Sequence, residues 1–297
     1  MRLATFAAGG ERRIGVVETV DPDDQGERLR DVTALVGTND LADVIRRWQE
    51  LSGPLEAEAA SAPLAPAGAQ WLAPFPRPAR NVFCIGKNYR EHVEEVGDQT
   101  GQGGLPRRPI VFTKPPSAVI GPDAPIDPHP GVTAALDYEA ELGVIIGPGG
   151  ANIRESDAAR HIWGYTIVND VTARDRQRDH GQWFLGKGLD TFCPMGPWAA
   201  SAEEVDPAGQ GRPEVTVRCW VNGELRQGAS TRDLIFDIPQ LIATLSAGLT
   251  LEPGDVISTG TPAGVGIGFD PPRLLRPGDV VEVAIDGLGR LRNQVCG

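Results

Sequence analysis

Two strand-like runs that carry acidic residues constrain the fold of this chain more than any other feature. In the first, residues 137–146 alternate polar and apolar side chains before a β-branched block, which predicts a strand. Because successive strand side chains point to opposite faces, Glu139 and Glu141 are predicted to share one face. Two carboxylates this close repel each other unless a cation lies between them. The alternative is a solvated strand face that simply exposes two acids.

A third acid, Asp170, ends the second strand-like run, residues 164–170, where helix-forming residues begin. Arg174 and Gln177 are three positions apart, so we predict that they share a helix face near Asp170. No His or Cys accompanies these acids at ligand spacing, and carboxylates suit a hard divalent ion. The sequence therefore predicts a metal site formed by Glu139, Glu141 and Asp170. Mg²⁺ is the first choice and Mn²⁺ the second.

The last third of the chain has the pattern of a scaffold built from short strands. Residues 214–221 alternate like a strand and lead into Asn222-Gly223, which is typical of a tight hairpin. Asp237 is expected to cap a helix that runs to about Ser246. Several short strands separated by turns indicate a β-rich roll or sandwich rather than alternating βαβ units.

Four motifs, in this order along the chain, carry a resemblance to a known family: Asp-Tyr-Glu-Ala-Glu-Leu from residue 137, Asn-Asp-Val-Thr-Ala-Arg-Asp-x-Gln from 169, Lys-Gly-x-Asp-Thr-Phe from 187 and Ser-Thr-Gly-Thr-Pro-Ala-Gly-Val-Gly from 258. Over roughly residues 78–297 the chain resembles the fumarylacetoacetate hydrolase family. The similarity is to its branch of acylpyruvate hydrolases and 2-hydroxyhepta-2,4-diene-1,7-dioate isomerases. The resemblance implies an α+β, β-rich fold of the mixed β-sandwich roll type, with a small α/β domain at the N-terminus. It also implies a homodimer.

Composition limits the kinds of binding partner and the cellular compartment that are expected for this chain. The 297 residues carry a net charge of −12, which argues against a nucleic acid or an anionic membrane as partner. The four cysteines lie far apart without a C-x-x-C motif, so neither a zinc knuckle nor a disulfide framework is indicated. The sequence shows no signal peptide and no run of 18 apolar residues, so we expect a cytoplasmic protein.

The first 75 residues are predicted to form a small N-terminal α/β domain, followed by a catalytic domain over residues 76–297. Short strand-like pieces precede an amphipathic helix in which Leu41, Val44, Ile45 and Trp48 recur at helical steps. Residues 53–80 are rich in Pro, Ala and Gly, which favours a linker over a packed element. The domain boundary is placed near residue 75, inside this run.

A possible base follows the buried strand-like run at residues 81–86. His92 and Glu95 are neighbours if residues 87–95 are helical, and a carboxylate beside a histidine supports general-base work. On spacing alone, a surface histidine is the simpler interpretation. The resemblance favours function, because the pyruvate-handling branch carries His-x-x-Glu here as a pair that activates water. We predict that residues 92–108 form a lid over substrate, with an ordinary mobile loop as the alternative.

Lysine is rare in this chain, since only three of its 28 basic residues (arginine and lysine) are lysines: Lys87, Lys114 and Lys187. Lys187 lies between two glycines, where a ligand can approach closely, although a surface loop is the alternative. The resemblance places Lys187 in the active site. It also implies that Thr261, in the Gly260-Thr261-Pro262 motif, binds the substrate carboxylate, with Gly260, Arg174 and Gln177 nearby.

The family acts on small 2-oxo acids, and this suggests a hypothesis for the reaction. The metal would polarise the substrate, and Arg174, Gln177, Lys187 and Thr261 would orient it. His92, supported by Glu95, would deprotonate a water that attacks C4 of a 2,4-dioxo acid, releasing pyruvate and a carboxylic acid. The alternatives are an isomerase or decarboxylase of 2-hydroxymuconate-type diacids or oxaloacetate, and a 2-oxo-acid-binding protein without turnover.

Overall fold

The computed structural model describes residues 1–19, 27–97 and 104–297. Its strands are β1 (Arg2–Ala8), β2 (Glu11–Thr19), β3 (Glu27–Asp31), β4 (Gln70–Trp71), β5 (Val82–Gly86), β6 (Ile110–Lys114), β7 (Val119–Ile120), β8 (Leu136–Asp137), β9 (Ala140–Ile146), β10 (Ile162–Asn169), β11 (Thr172–Ala173), β12 (Cys193–Ser201), β13 (Thr216–Val221), β14 (Glu224–Ser230), β15 (Val256–Ser258), β16 (Val280–Ile285) and β17 (Gly289–Gln294). Its α-helices are α1 (Thr33–Val36), α2 (Leu41–Arg46), α3 (Trp48–Glu58), α4 (Arg90–Val96), α5 (Arg174–Asp179), α6 (Phe184–Lys187), α7 (Ala202–Val205) and α8 (Ile238–Ser246).

A large mixed sheet forms the centre of the molecule. Its path runs β3-β2-β1-β12-β10-β9-β15-β5-β6, with β4 beside β1 and β7 beside β12. Strands β9 and β10 are central, and every residue of both is buried, which explains their near-continuous apolar sequence. A separate four-stranded antiparallel sheet has the order β14-β13-β16-β17, and β8 and β11 form a short ribbon. The α+β, β-rich architecture expected from the sequence is confirmed.

The N-terminal strands belong to the same sheet as the later ones, because β1 pairs antiparallel with β12. The domain boundary near residue 75 therefore stays a prediction, with strand pairing on both sides of it. One part of the predicted linker is wrong, since α3 continues through Pro54 to Glu58. Proline removes one helical hydrogen bond, and burial of Leu51 and Leu55 on the core side offsets that loss.

Two local predictions in the last third are confirmed. Asn222 and Gly223 connect β13 to β14 with positive φ angles of 52° and 80°, as the tight primed turn requires. Helix α8 begins after Asp237, whose carboxylate accepts a hydrogen bond from the Gln240 amide at 2.9 Å. Its apolar face, including Leu241 and Ile242, is buried in the main core.

The predicted continuous strand over residues 137–146 is interrupted in the structure. Strand β8 ends at Asp137 and β9 begins at Ala140, so Glu139 lies in an irregular link rather than on a regular strand face. The link is held to the neighbouring chain because the Asp170 amide donates to the Glu139 carbonyl at 2.8 Å. The Glu139 amide in turn donates to the Asn169 side chain at 3.1 Å. These bonds bring the ends of β9 and β10 together.

No helix within the described parts of the chain is long and apolar enough to cross a membrane.

Candidate metal centre

Three buried carboxylates converge where β9 and β10 meet. Glu141 lies on β9 opposite Val168, Asp170 directly follows β10, and Glu139 lies in the link before β9. Each offers an oxygen, and these oxygens all lie within 4.8 Å of one another. The three residues are at most 4% exposed. The structure therefore brings together the three acids that the sequence singled out, although not through strand alternation.

Three buried cations surround the acids. Lys187, at the end of α6, places its Nζ 2.7 Å from Glu139 Oε2 and 2.8 Å from Asp170 Oδ2. Lys114, at the end of β6, lies 2.6 Å from Asp170 Oδ1, and Arg174 Nη1 lies 2.6 Å from Glu139 Oε1. These cations hold the charged acids in an interior that would otherwise disfavour them.

The acids differ in their electrostatic environment. Burial opposes ionisation of Glu139, but the charges of Lys187 and Arg174 outweigh it and lower the pKa of Glu139. For Glu141, burial together with the charges of Asp170 and Glu139 raises the pKa well above its ordinary value. The charge of Lys187 and the Ser258 hydroxyl, which donates to Glu141 Oε2, only partly offset this rise in the pKa of Glu141.

The donor set fits a hard divalent cation. All three groups are carboxylates, and neither nitrogen nor sulfur takes part, as Mg²⁺ and Mn²⁺ prefer. The mutual repulsion that raises the pKa of Glu141 is the unfavourable energy that such a cation would relieve. Glu139, Glu141 and Asp170 would hold the ion.

Asp137 and Gln177 fix the guanidinium of Arg174. Arg174 Nε donates to Asp137 Oδ2 at 2.8 Å, and Nη1 donates to Gln177 Oε1 at 3.1 Å. The predicted shared face of Arg174 and Gln177 on one helix is thus present. The remaining Nη2 is buried without a hydrogen-bond partner among the described residues. Arg174 and Gln177 both line the cavity beside the acids, and a guanidinium in such a place suits an anionic ligand.

The histidine and its neighbouring acid lie on one short helix, α4. His92 Nδ1 is 3.4 Å from Glu95 Oε2, while Glu95 Oε1 accepts a hydrogen bond from the Gly264 amide at 2.8 Å. His92 is 4% exposed and lines the same cavity as Glu139 and Glu141. The second ring nitrogen of His92 is therefore the one left for a ligand. The predicted lid extends into residues 98–103, which lie outside the described residues, and it stays a prediction.

Thr261 and Gly260 make protein contacts beside the acids. The Thr261 hydroxyl donates to the Ala140 carbonyl at 3.0 Å and accepts from Gln227 Nε2 at 2.7 Å. Gly260 donates its amide to Glu141 Oε2 at 2.9 Å. Thr261 lines the cavity, and its binding of the substrate carboxylate stays a prediction.

Sequence reasoning missed several buried residues that support the site. Lys114 donates to the carbonyls of Val171 and Phe192 at 2.8 and 2.6 Å as well as pairing with Asp170. Asp137 and Ser258 were passed over although both lie inside the four motifs. The signal for Lys114 was the rarity of lysine, since both Lys114 and Lys187 contact the acid cluster.

Comparison with known proteins identifies the family of this chain. Residues 81–296 match the family described as fumarylacetoacetate (FAA) hydrolase C-terminal, so the chain belongs to the fumarylacetoacetate hydrolase family. It is therefore an enzyme of a metal-dependent family that includes hydrolases, isomerases and decarboxylases.

Three proteins illustrate which members of the family this chain is similar to. The chain is 51% identical over 224 residues to oxaloacetate tautomerase YisK of Bacillus subtilis, covering 75% of this chain and 72% of that protein. It is also similar in structure to the fumarylacetoacetate hydrolase of Exiguobacterium antarcticum, with 43% identity, a TM-score of 0.85 and coverage of 100% and 99%. A maleylpyruvate hydrolase of Sphingobium sp. SYK-6, solved with manganese(II) and pyruvate, shares 34% identity at a TM-score of 0.78, with coverage of 100% and 99%.

Proposed function

We propose that this enzyme interconverts the keto and enol forms of a short 2-oxo diacid of the oxaloacetate type, using Mg²⁺ or Mn²⁺. The observation that carries the proposal is the single small cavity lined at once by Glu139, Glu141 and His92. Tautomerisation needs only one base and one polarised 2-oxo group, and this cavity places His92, a candidate base, beside two of the candidate metal ligands. The 51% identity to an oxaloacetate tautomerase supports the same substrate class.

The residues divide the work as follows. A bound divalent ion, held by Glu139, Glu141 and Asp170, supplies the positive charge that polarises the 2-oxo group. Arg174 Nη2 donates to the carboxylate next to that group. His92, whose Nδ1 faces Glu95, accepts a proton from C3 through its other nitrogen. The protonated His92 then gives a proton to the oxygen at C2 and returns to its neutral form, so a C3–H bond is exchanged for an O–H bond and keto and enol forms interconvert with no net change of atoms.

Lys187 keeps two of the acids in place during this exchange. Its ammonium bonds Glu139 and Asp170, and those two charges outweigh burial and raise the pKa of Lys187. Lys187 therefore stays protonated and acts as a fixed charge rather than as a proton carrier.

The second candidate is the hydrolase predicted from the sequence, which cleaves a 2,4-dioxo acid of the acylpyruvate or fumarylpyruvate type. The His92–Glu95 contact favours it, because such a pair also suits activation of water. The likeness to a maleylpyruvate hydrolase supports it as well.

The test follows both reactions in the wild type and in His92→Gln, with Mg²⁺ or Mn²⁺ present. Enol oxaloacetate is monitored by its ultraviolet absorbance and C3 deuterium exchange by NMR, while acylpyruvate cleavage is scored by the pyruvate released. A tautomerase accelerates both the decay of the enol and C3 exchange, and His92→Gln removes most of this rate. Cleavage of acylpyruvate without enol decay would make the enzyme the hydrolase. Binding of 2-oxo acids without any turnover would leave the non-catalytic alternative.

The expected homodimer is tested separately. A mass near twice 31.6 kDa by light scattering after gel filtration supports it, and a mass near 31.6 kDa rejects it.

A further inference from the structure

Gly268 lies directly against the acid that supports the proposed base. It ends a single 3₁₀ turn, Gly266–Gly268, on which helix α4 packs. A Cβ added to Gly268 would overlap the Cγ, Cδ and Oε1 atoms of Glu95. The φ of Gly268 lies outside the left-handed region, so the backbone would accept alanine and the nearest obstacle is Glu95. The missing side chain at position 268 therefore leaves the space that the Glu95 carboxylate occupies.

Two contacts fix where this carboxylate points. Glu95 Oε1 accepts a hydrogen bond from the Gly264 amide at 2.8 Å, and Glu95 Oε2 lies 3.4 Å from His92 Nδ1. Because a carboxylate accepts hydrogen bonds, the neutral His92 ring carries its proton on Nδ1 and keeps Nε2 free as a base. A shift of Glu95 would break this arrangement without removing the carboxylate.

Buried hydrogen bonds hold the turn at its start. The fully buried Asp137 carboxylate accepts from the amides of Gly266 and Ile267, at 2.7 and 3.0 Å. Loss of such buried bonds costs more free energy than a rotation at the end of a flexible side chain. An alanine at position 268 would therefore displace Glu95 rather than the turn.

An aromatic ring and two guanidinium groups hold the turn at its end. The centroid of the Phe269 ring lies 5.2 Å from the guanidinium carbon of Arg226 and 5.2 Å from that of Arg273. Glu224 joins the two cations, since its Oε2 lies 2.7 Å from Arg273 Nη2 and 3.3 Å from Arg226 Nη2. Phe269 thus anchors the residue next to Gly268 to strand β14.

We propose that Gly268 is a positioning residue, whose lack of a side chain sets the Glu95 carboxylate beside His92. It thereby determines which ring nitrogen of His92 acts as the base. This inference rests on the proposed function, because it concerns the same base. Gly268 acts through Glu95 and not on the substrate.

The test compares Gly268→Ala with a matched control, Gly228→Ala on β14, where an added Cβ would meet no atom of the described chain within 4 Å. For oxaloacetate, Gly268→Ala is expected to lower kcat by roughly 10-fold, because His92 loses the carboxylate that orients it. KM should change less than about two-fold, since Arg174 and the metal ligands keep their places. Gly228→Ala should leave both constants unchanged.

A double-mutant cycle separates positioning from a general effect on the fold. In a Glu95→Ala background the displaced side chain is absent, so adding Gly268→Ala should lower kcat by less than about a further two-fold. A further loss as large as the one in the wild-type background would overturn the proposal. An unchanged kcat in Gly268→Ala alone would overturn it too.

The tautomer of His92 provides a readout without turnover. The chain has four histidines, so NMR after ¹⁵N labelling of histidine can follow each ring nitrogen. In the wild type and in Gly228→Ala, neutral His92 should carry its proton mainly on Nδ1, and Gly268→Ala should move it towards Nε2. Identical His92 spectra in the wild type and in Gly268→Ala would overturn the proposal even if kcat falls. If the wild type fails to tautomerise oxaloacetate, the proposed function fails, yet the His92 tautomer still decides the role of Gly268.

Phe269→Leu covers the case in which Gly268→Ala does not fold. It keeps glycine at position 268 but removes the aromatic face that anchors the turn, so part of the same shift of the His92 proton is expected. Phe269→Tyr keeps the ring and should give the wild-type spectrum. A wild-type tautomer in Phe269→Leu would then overturn the proposal.

Discussion

Arg174 Nε and Asp137 Oδ2 lie 2.8 Å apart in a region that solvent barely reaches, with Arg174 3% exposed and Asp137 fully buried. Asp137 also accepts hydrogen bonds from the amides of Gly266 and Ile267, at 2.7 and 3.0 Å. One carboxylate therefore fixes the guanidinium of Arg174 and ties the loop after β15 to the site. Burial opposes the charge of Arg174, but Asp137 and Glu139 raise its pKa overall.

We expect Asp137→Asn to lower the free energy of unfolding by about 3 kcal/mol or more, because the buried guanidinium of Arg174 then loses the negative charge of Asp137. Chemical denaturation measures this loss. The matched control is Asp179→Asn, which breaks an exposed pair with Arg178 and should cost much less, because solvent screens that pair. Equal losses in the free energy of unfolding would show that the buried Asp137–Arg174 pair stabilises the fold no more than the exposed pair does.

The metal centre predicts a stability that depends on Mn²⁺ or Mg²⁺. At an ion concentration 100 times the dissociation constant, a bound ion adds about 2.7 kcal/mol to the free energy of unfolding. Glu141→Gln should abolish the rise in Tm with added Mn²⁺, because it removes one ligand. Without metal it should fold at least as well as wild type, because burial and like charges already disfavour the ionised Glu141.

The control for the metal prediction is Glu56→Gln, on the exposed side of α3. It should respond to Mn²⁺ as wild type does. A Glu141→Gln protein that still gains the full rise in Tm would place the ion elsewhere.

The two adjacent acids of α4 provide a test of the histidine pair. Glu95 contacts His92 and is 17% exposed at its side chain, whereas Glu94 points to solvent. Glu95→Gln should lower kcat by roughly 10- to 100-fold, since His92 loses the carboxylate that orients it. Glu94→Gln should leave kcat unchanged. Steady-state kinetics with saturating metal decides between them, and similar losses in both variants would reject the pair.

Acid should weaken the contact between α5 and the loop before β8. Asp175 accepts from the Thr133 hydroxyl at 2.6 Å and from the Ala134 amide at 2.9 Å. Burial opposes its ionisation, but these bonds outweigh burial and lower the pKa of Asp175. Since the folded-state pKa is depressed, the contribution is complete above the ordinary Asp pKa of about 3.9 and disappears as pH falls through the lower folded value.

The measurement compares wild type with Asp175→Asn by guanidinium unfolding in EDTA at pH 7 and near pH 3. The difference in unfolding free energy should be about 1 kcal/mol at pH 7 and should shrink at pH 3. If the difference in unfolding free energy is the same at both pH values, the loss comes from altered packing of the side chain at position 175 and not from loss of the Asp175 charge.

Part of the site followed directly from the sequence, because some patterns act over a few residues. The Asn222-Gly223 turn, the Asp237 cap and the shared helix face of Arg174 and Gln177 are all local, and all are present. The linker prediction failed at Pro54 for the opposite reason, since tertiary burial of Leu51 and Leu55 outweighed the local effect of proline.

Residue types and their order along the chain determined the family, the β-rich architecture and the identity of the three acids, because strand patterns and motifs are written locally. Folding alone decided how the acids meet. Glu139 reaches the others through an irregular link held by Asn169 and Asp170, not through strand alternation. Lys114, distant in sequence, lies 2.6 Å from Asp170 Oδ1 and balances part of their negative charge. Such balance depends on distances between chain segments far apart in sequence, and those distances exist only once the sheet has formed.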